Sequence, residues 1–239
     1  MDIELKLLAG LPVEIKGVGL FHNPKIREII DLGESKYNYY LSSIFLSRKQ
    51  VQNADENLND FELLFAICYH NKEFQEIFFN ALKFFFKEED VGLDTDNQSI
   101  FFYFGEKKEN RRITQDNFDE IKKLIRVANF LEESEKEEFN PINEKAKEII
   151  AKFLKNKEKL PKIKEKMNLH SILSGIAWKS KNLNIFNVFD LTLYQLYDGF
   201  YRMDVIDYYQ STIQGLNAGT IDGSKIDLKK IHWTKIINN

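Results

Sequence analysis

Cysteine is almost absent from this sequence: Cys68 is the only one among its 239 residues. A secreted scaffold held by disulfides is therefore excluded, because each bridge needs two cysteines. A zinc site built from thiolates is disfavoured for the same reason. The thiol lies in an apolar stretch, where cysteine behaves as a small hydrophobic residue of the core. We expect a protein of a reducing compartment, the cytoplasm.

The sequence also carries little net charge. It has 34 lysines and arginines against 37 aspartates and glutamates, which gives a formal net charge of −3. Nucleic-acid binding through bulk electrostatics needs a cationic surface, so this class is disfavoured. Disorder as the main state is excluded, because 43% of the residues are hydrophobic and disordered chains have low hydrophobicity.

Long apolar runs are missing as well. A helix that spans a bilayer needs about 20 apolar residues. The longest candidates, residues 61–69 and 77–86, are shorter and contain charged residues. The first six residues lack the basic and apolar regions of a signal peptide. We therefore expect no membrane segment and no membrane partner.

Motifs for catalysis or ligand binding are scarce. Residues 94–98 begin like a calcium loop, but the glycine and glutamate expected at its sixth and twelfth positions are missing. Gly17-Val18-Gly19 lacks the third glycine of a dinucleotide loop. None of the four histidines has further ligands at metal-binding spacing: His22, His70, His170 and His232. We predict no catalytic residue, no metal and no cofactor, and hence a protein that is not an enzyme.

Two charged blocks divide the chain. Residues 132–139 contain five glutamates and one lysine, and residues 144–166 contain nine lysines and four glutamates. Interleaved glutamates and the absence of arginine favour a solvated helix face over a nucleic-acid or lipid patch. We predict an N-terminal unit (residues 1–131), a charged helical connector (132–166) and a C-terminal unit with a short tail (167–239).

The N-terminal unit shows helix and strand signals together, which predicts an α+β fold with a few short antiparallel strands. Alternating residues at 3–8 and 13–21 indicate strands joined by a turn at 10–12. Asn23 and Pro24 indicate a helix start, and Gly33 indicates the end of that helix. A second helix is expected at 35–48.

The rest of this unit continues the α+β pattern. Apolar spacing from Asn59 or Asp60 to residue 86 fits two antiparallel helices or one bent helix. A small hairpin is expected at 99–104 and 111–114, followed by a helix at about 116–130.

The C-terminal unit is predicted to be helical. Asn168 can cap a helix at 169–179, and a longer helix is expected from Asn184 or Asn187 to about Gln214. An apolar stripe recurs along it at steps of three and four: Phe186, Phe189, Leu193, Leu196, Phe200 and Met203. A second row lies beside the stripe: Tyr194, Tyr197, Tyr201 and Tyr208.

This apolar face is broader than one packing contact requires. The tyrosines are either half-buried core residues or a docking face, and both hold if one row is core and the other is exposed. Trp233 either folds back on the helices or is offered to a partner. The candidate partner-binding residues are Tyr194, Tyr197, Tyr201, Tyr208 and Trp233.

Several motifs carry a resemblance to a protein family. The C-terminal part contains L-Y-Q-L-Y-D-x-F-x-R (193–202), D-Y (207–208), A-G (218–219) and H-W-x-K (232–235). The N-terminal part contains P-x-I-x-E-I (24–29) and G-E-x-x-Y-x-x-Y-L (33–41). These segments, about a third of the chain, resemble proteins from the tail modules of tailed phages and prophages of low-GC Gram-positive bacteria.

The resemblance implies a non-enzymatic helper of virion morphogenesis in the cytoplasm of the host bacterium. Members that have been given a role are usually called tail assembly chaperones. Such a chaperone would hold the helical tape-measure protein soluble while tail-tube proteins assemble around it. Self-association is a further expectation. The alternative is a structural virion component, such as a baseplate, neck or cargo protein, with residues 226–239 as an arm on a neighbouring subunit.

Overall fold

A computed structural model describes residues 2–51, 57–96, 99–105, 111–131 and 167–237 of the chain. The predicted connector, residues 132–166, and its lysine cluster lie outside the described residues. The division into an N-terminal and a C-terminal unit on either side of it stays a prediction.

The chain begins with a helix where strands were expected. Helix α1 spans Asp2–Leu8, so the strand predicted at residues 3–8 is wrong. In a strand, Ile3, Leu5 and Leu7 would lie on one buried face. In the structure Leu7 is fully buried, whereas Ile3, Leu5 and Leu8 are exposed. The helix packs against neighbouring helices through Leu7, and Gly10 with a φ of 68° ends it.

A hairpin and two helices follow. Strands β1 (Val13–Ile15) and β2 (Gly19–Phe21) pair antiparallel. The single strand expected at residues 13–21 is therefore divided by a turn at residues 16–18 and pairs with itself. Helix α2 covers Ile26–Leu32, which is two residues later than the Asn23-Pro24 signal. Gly33, with a φ of 91°, separates it from helix α3 (Glu34–Ile44).

The long apolar region forms two helices, not one bent helix. Helix α4 spans Asp60–His70 and helix α5 spans Lys72–Phe86. Asn59 caps α4, because its side chain accepts a hydrogen bond from the Glu62 amide at 2.9 Å. Asn71 ends α4 and caps α5, which fixes the break at one residue.

A three-stranded antiparallel sheet packs against these helices. It consists of β3 (Val91–Asp96), β4 (Ser99–Phe104) and β5 (Arg112–Ile113), in that order. Strand β3 was not predicted, because its sequence VGLDTD contains a glycine and two aspartates, which are poor strand formers. Phe102 of β4 is fully buried among phenylalanines of α4 and α5.

The remaining elements are helical. Helix α6 covers Gln115–Ala128, α7 covers Leu169–Lys179 and α8 covers Leu193–Asn217. Asn168 caps α7 as the sequence predicts. Helix α8 begins later than Asn184 or Asn187, because Thr192 is its cap and a short 3-10 helix, Val188–Asp190, precedes it.

The described elements share one hydrophobic core. Helix α8 packs against α1, α6 and α7, and backbone hydrogen bonds tie its start to the N-terminal part of the chain. The Leu193 amide donates to the Pro24 carbonyl at 3.0 Å, and the Ile26 amide donates to the Leu191 carbonyl at 2.9 Å. The predicted class, mainly helical with small antiparallel sheets, is confirmed.

One buried polar pair links α3 to the end of α6. The Tyr37 hydroxyl donates a hydrogen bond to the side-chain oxygen of Asn129, and both residues are buried. Burial raises the pKa of Tyr37 far above its ordinary value. The side-chain nitrogen of Asn129, Nδ2, in turn donates to the Ile125 carbonyl at 2.7 Å. The pair is satisfied only while both side chains are present.

We expect Tyr37→Phe to lower the free energy of unfolding by about 1–3 kcal/mol, because it leaves a buried Asn129 oxygen without a donor. Urea unfolding followed by circular dichroism measures this loss. The matched control is Tyr39→Phe, two residues away, since Tyr39 has no hydrogen-bonded hydroxyl among the described contacts. An equal loss in both variants would contradict the assignment.

Candidate functional site

The candidate docking face lies on α8, which has 25 residues and is therefore about 37 Å long. Thr192 and Gln195 form a reciprocal cap at its start, with hydrogen bonds of 2.9 and 3.3 Å. Burial is concentrated there: Leu193, Tyr194 and Leu196 are buried, whereas Thr212 alone is buried in the later turns. The first part of α8 belongs to the core, and the later part lies outside it.

Phe130, just after α6, lies against the first three tyrosines of the predicted row. Its ring centroid is 4.9 Å from that of Tyr194, 5.7 Å from Tyr197 and 5.8 Å from Tyr201. The Tyr197 and Tyr201 rings are themselves 6.5 Å apart and nearly parallel. The structure thus brings three of the five predicted site residues together around one phenylalanine.

Exposure rises along the tyrosine row. Tyr194 is buried and Tyr197 is half-buried, but Tyr201 is 41% exposed and Tyr208 is 61% exposed. Tyr208 lies seven residues after Tyr201, which is about two turns, so both project from the same side of α8. Trp233 lies apart from Phe130 on the C-terminal tail and is 46% exposed.

The backbone of Phe130 is in a conformation that costs energy. Its φ is 52°, in the left-handed region that disfavours side chains with a Cβ by about 1–2 kcal/mol. The Leu131 amide donates to the Arg126 carbonyl at 3.1 Å, so this turn also satisfies a carbonyl at the end of α6. Ring contacts with three tyrosines, each worth about 0.5–1.5 kcal/mol, offset the strain.

The two most buried tyrosines of the row have raised pKa values. Burial raises the pKa of Tyr194, and the carboxylates of Asp198 and Glu4 raise it further. Burial also raises the pKa of Tyr197, with a smaller contribution from Tyr201. These hydroxyls therefore stay protonated at physiological pH. Tyr194 and Tyr197 thus offer apolar contact and hydrogen bonding, not charge.

The other predicted row is the core side of the helix. Leu193 and Leu196 are buried, and Phe189, Phe200 and Met203 pack against the core. Phe186 differs: it lies before α8 and is 85% exposed. The apolar stripe is therefore mostly core, and the tyrosine row is partly exposed. This arrangement is compatible with both a core role and a docking role for the apolar face of α8.

Two exposed aromatic residues of the described C-terminal segment, residues 167–237, were not among the predicted site residues. Trp178 at the end of α7 is 79% exposed, and Phe186 follows in the next connection. A helical projection could have found Trp178, because it lies opposite the apolar face formed by Ile172, Leu173 and Ile176. Sequence reasoning missed Phe186, because its three-residue spacing from Phe189 assigned it to the apolar stripe of the predicted helix.

Other types of site find no support within the described ranges. No three histidine, cysteine, aspartate or glutamate side chains there are grouped so that they could hold a metal ion. Among the same residues, no helix is both long enough and apolar enough to cross a bilayer.

Comparison with known proteins connects this region to phages. Residues 156–238, just over a third of the chain, are similar to the family described as the YomV second domain. That domain is phage-derived, of the type found in YomV of a Bacillus prophage. None of the curated proteins, and none of the solved structures, is similar to the chain. The predicted relationship to phage proteins is thus confirmed for residues 156–238. The predicted role in tail assembly stays a prediction.

We expect Phe130→Ala to lower the free energy of unfolding by about 3 kcal/mol, because it removes a packed ring and its three tyrosine contacts. Urea unfolding measures the loss, and near-ultraviolet circular dichroism should show the tyrosines losing their fixed environment. Phe186→Ala is the matched control, since its ring is mostly in solvent and its removal should cost less than about 0.5 kcal/mol. Similar losses in both variants would contradict this role of Phe130.

Proposed function

We propose that the protein is a non-enzymatic factor of phage tail morphogenesis. It acts as a tail assembly chaperone in the cytoplasm of the host bacterium and binds the helical tape-measure protein through the aromatic face of α8. Binding keeps that protein soluble until tail-tube proteins assemble around it.

The distribution of exposed aromatic residues carries the proposal. Of the six exposed aromatic side chains in the described part of the chain, Tyr69 alone lies outside the segment similar to the phage-derived domain. The other five lie within it: Trp178, Phe186, Tyr201, Tyr208 and Trp233. Aromatic residues are enriched at protein interfaces, because they bury a large area at a small cost in side-chain entropy.

The geometry and charge of α8 favour a helical partner with basic side chains. Tyr201 and Tyr208 are spaced by two turns, which matches the anchor spacing of an amphipathic helix lying in a groove. The helix itself carries Asp198, Asp204 and Asp207 against one arginine, Arg202. A partner helix with an apolar stripe flanked by lysines or arginines complements this surface.

We expect the double variant Tyr201→Ser/Tyr208→Ser to weaken client binding by about 10- to 100-fold, because exposed tyrosines at interface centres are frequent hot spots. The measurement is the soluble fraction of the tape-measure protein from the same phage module when both are co-expressed. The melting temperature should fall by less than about 3 °C, since neither side chain is in the core.

The matched control for this variant is Tyr69→Ser. Tyr69 is 60% exposed on α4, outside the segment similar to the phage-derived domain. Equal loss of client solubility with Tyr69→Ser would contradict a specific role for α8. A large fall in melting temperature would assign Tyr201 and Tyr208 to the core instead.

Mass spectrometry of purified phage particles, beside the soluble fraction of the infected cell, separates the two predicted classes. A chaperone should be absent from the particle and present in the lysate with the tape-measure protein. A fixed copy number in the particle would instead identify a structural virion component. The aromatic face would then be a permanent subunit interface, and the chaperone proposal would be wrong.

A further inference from the structure

The C-terminal tail folds back along α8 without forming a helix or a strand. We call residues 226–237 the strap. Its internal backbone hydrogen bonds are short-range turns, such as Lys230 to Asp227 at 3.1 Å and Lys235 to His232 at 2.9 Å. Most of its side chains are exposed. A segment with few buried contacts and only local hydrogen bonds has low local stability.

One arginine of α8 makes the described hydrogen bonds that hold the strap. The Nη1 atom of Arg202 donates to the Trp233 carbonyl at 2.8 Å and to the Lys235 carbonyl at 2.7 Å. No other hydrogen bond or ion pair between α8 and the strap is present in the described part of the chain. Charge-assisted bonds of this type are stronger than neutral ones, so the guanidinium is the anchor of the strap.

The anchor lies immediately beside the exposed tyrosines. Arg202 follows Tyr201 in the chain, and Tyr209 follows Tyr208. The Tyr209 ring contacts the His232 ring of the strap at a centroid distance of 5.2 Å. Because Arg202 and Tyr209 are seven residues apart, they lie on one side of α8. The strap therefore runs along the strip next to the tyrosine row.

The strap has the same chemistry as the partner that α8 favours. It is rich in large apolar residues and also carries lysines: Ile226, Leu228, Lys229, Lys230, Ile231, Trp233, Lys235, Ile236 and Ile237. The same side of α8 carries Asp198, one turn before Arg202. A basic, apolar segment of this chain thus occupies the strip that adjoins the candidate docking face.

We infer that the strap is a releasable cover of α8, anchored by Arg202, and that it competes with the client for the surface beside Tyr201 and Tyr208. Its release adds the Tyr209 strip to the exposed tyrosines and so widens the apolar face. This inference rests on the proposed docking function of α8. It also explains how a protein with such a surface limits non-specific association before its client arrives.

Release of the strap can be measured without any client. The chain has two tryptophans, so a Trp178→Phe background leaves Trp233 as the sole fluorescent reporter. In this background we expect Arg202→Met to raise acrylamide quenching of Trp233 about twofold, because the side chain is 46% exposed while the strap is bound. Binding of anilinonaphthalene sulfonate should rise in the same variant as the apolar strip opens.

Arg27→Met is the matched control. Arg27 is an exposed arginine that pairs with Asp190 at 3.5 Å, and none of its described contacts involves the strap. It should leave quenching and dye binding unchanged. Unchanged quenching in Arg202→Met would overturn the inference, because Arg202 would not be the anchor.

The competition is tested with a synthetic 20-residue amphipathic helix of leucine, phenylalanine and lysine. Loss of two charge-assisted hydrogen bonds should strengthen its binding to the full-length Arg202→Met chain by about tenfold. Weaker binding than to the unsubstituted chain would overturn the inference, because the strap would then be part of the binding site. A third result separates the two proposals. If Arg202→Met releases the strap and raises dye binding but neither chain binds the helix, the strap is a releasable cover and the proposed docking function is wrong.

Discussion

The contact between Phe130 and three tyrosines of α8 determines which tyrosines of that helix remain exposed to solvent. Phe130 follows α6 and holds a positive φ of 52°, a strain that persists only because surrounding packing compensates for it. Its ring covers Tyr194 and Tyr197 and touches one side of Tyr201. The row is consequently split into a covered first half and an exposed second half.

The two halves of α8 are also held by different forces. At its start, buried apolar side chains act together with hydrogen bonds from the N-terminal part of the chain, including Gln195 to the Leu8 carbonyl at 2.9 Å. Further along, ion pairs and hydrogen bonds of partly exposed side chains make the contacts: Lys179 of α7 pairs with Asp207, and Arg202 binds the strap. Exposed polar ties contribute little stability compared with core packing. The later half of α8 is therefore suited to reversible binding.

The similarity to a phage-derived domain and the surface properties of this region support one account. The similar segment includes α7, α8 and the strap, which together carry four of the six exposed aromatic residues of the described chain. Two of these residues, Tyr201 and Tyr208, project from one side of the long helix α8, and this is the surface that we propose for recognition of another helix. If α8 is the docking helix that we propose, the strap keeps part of its surface covered until a partner replaces it.

Local signals in the sequence determined two of the helix caps, the pairing of residues 99–104 with residues 111–114, and the mixed α+β class. Asn59 and Asn168 cap the helices that they were expected to cap, because their side chains satisfy free amides within three residues. Tertiary packing decided the rest. Residues 3–8 form a helix that buries Leu7, against an alternating pattern, and Phe186 lies in solvent despite its spacing. Periodicity marks which residues share a face, whereas only the position of a distant residue such as Phe130 decides which members of that face are covered.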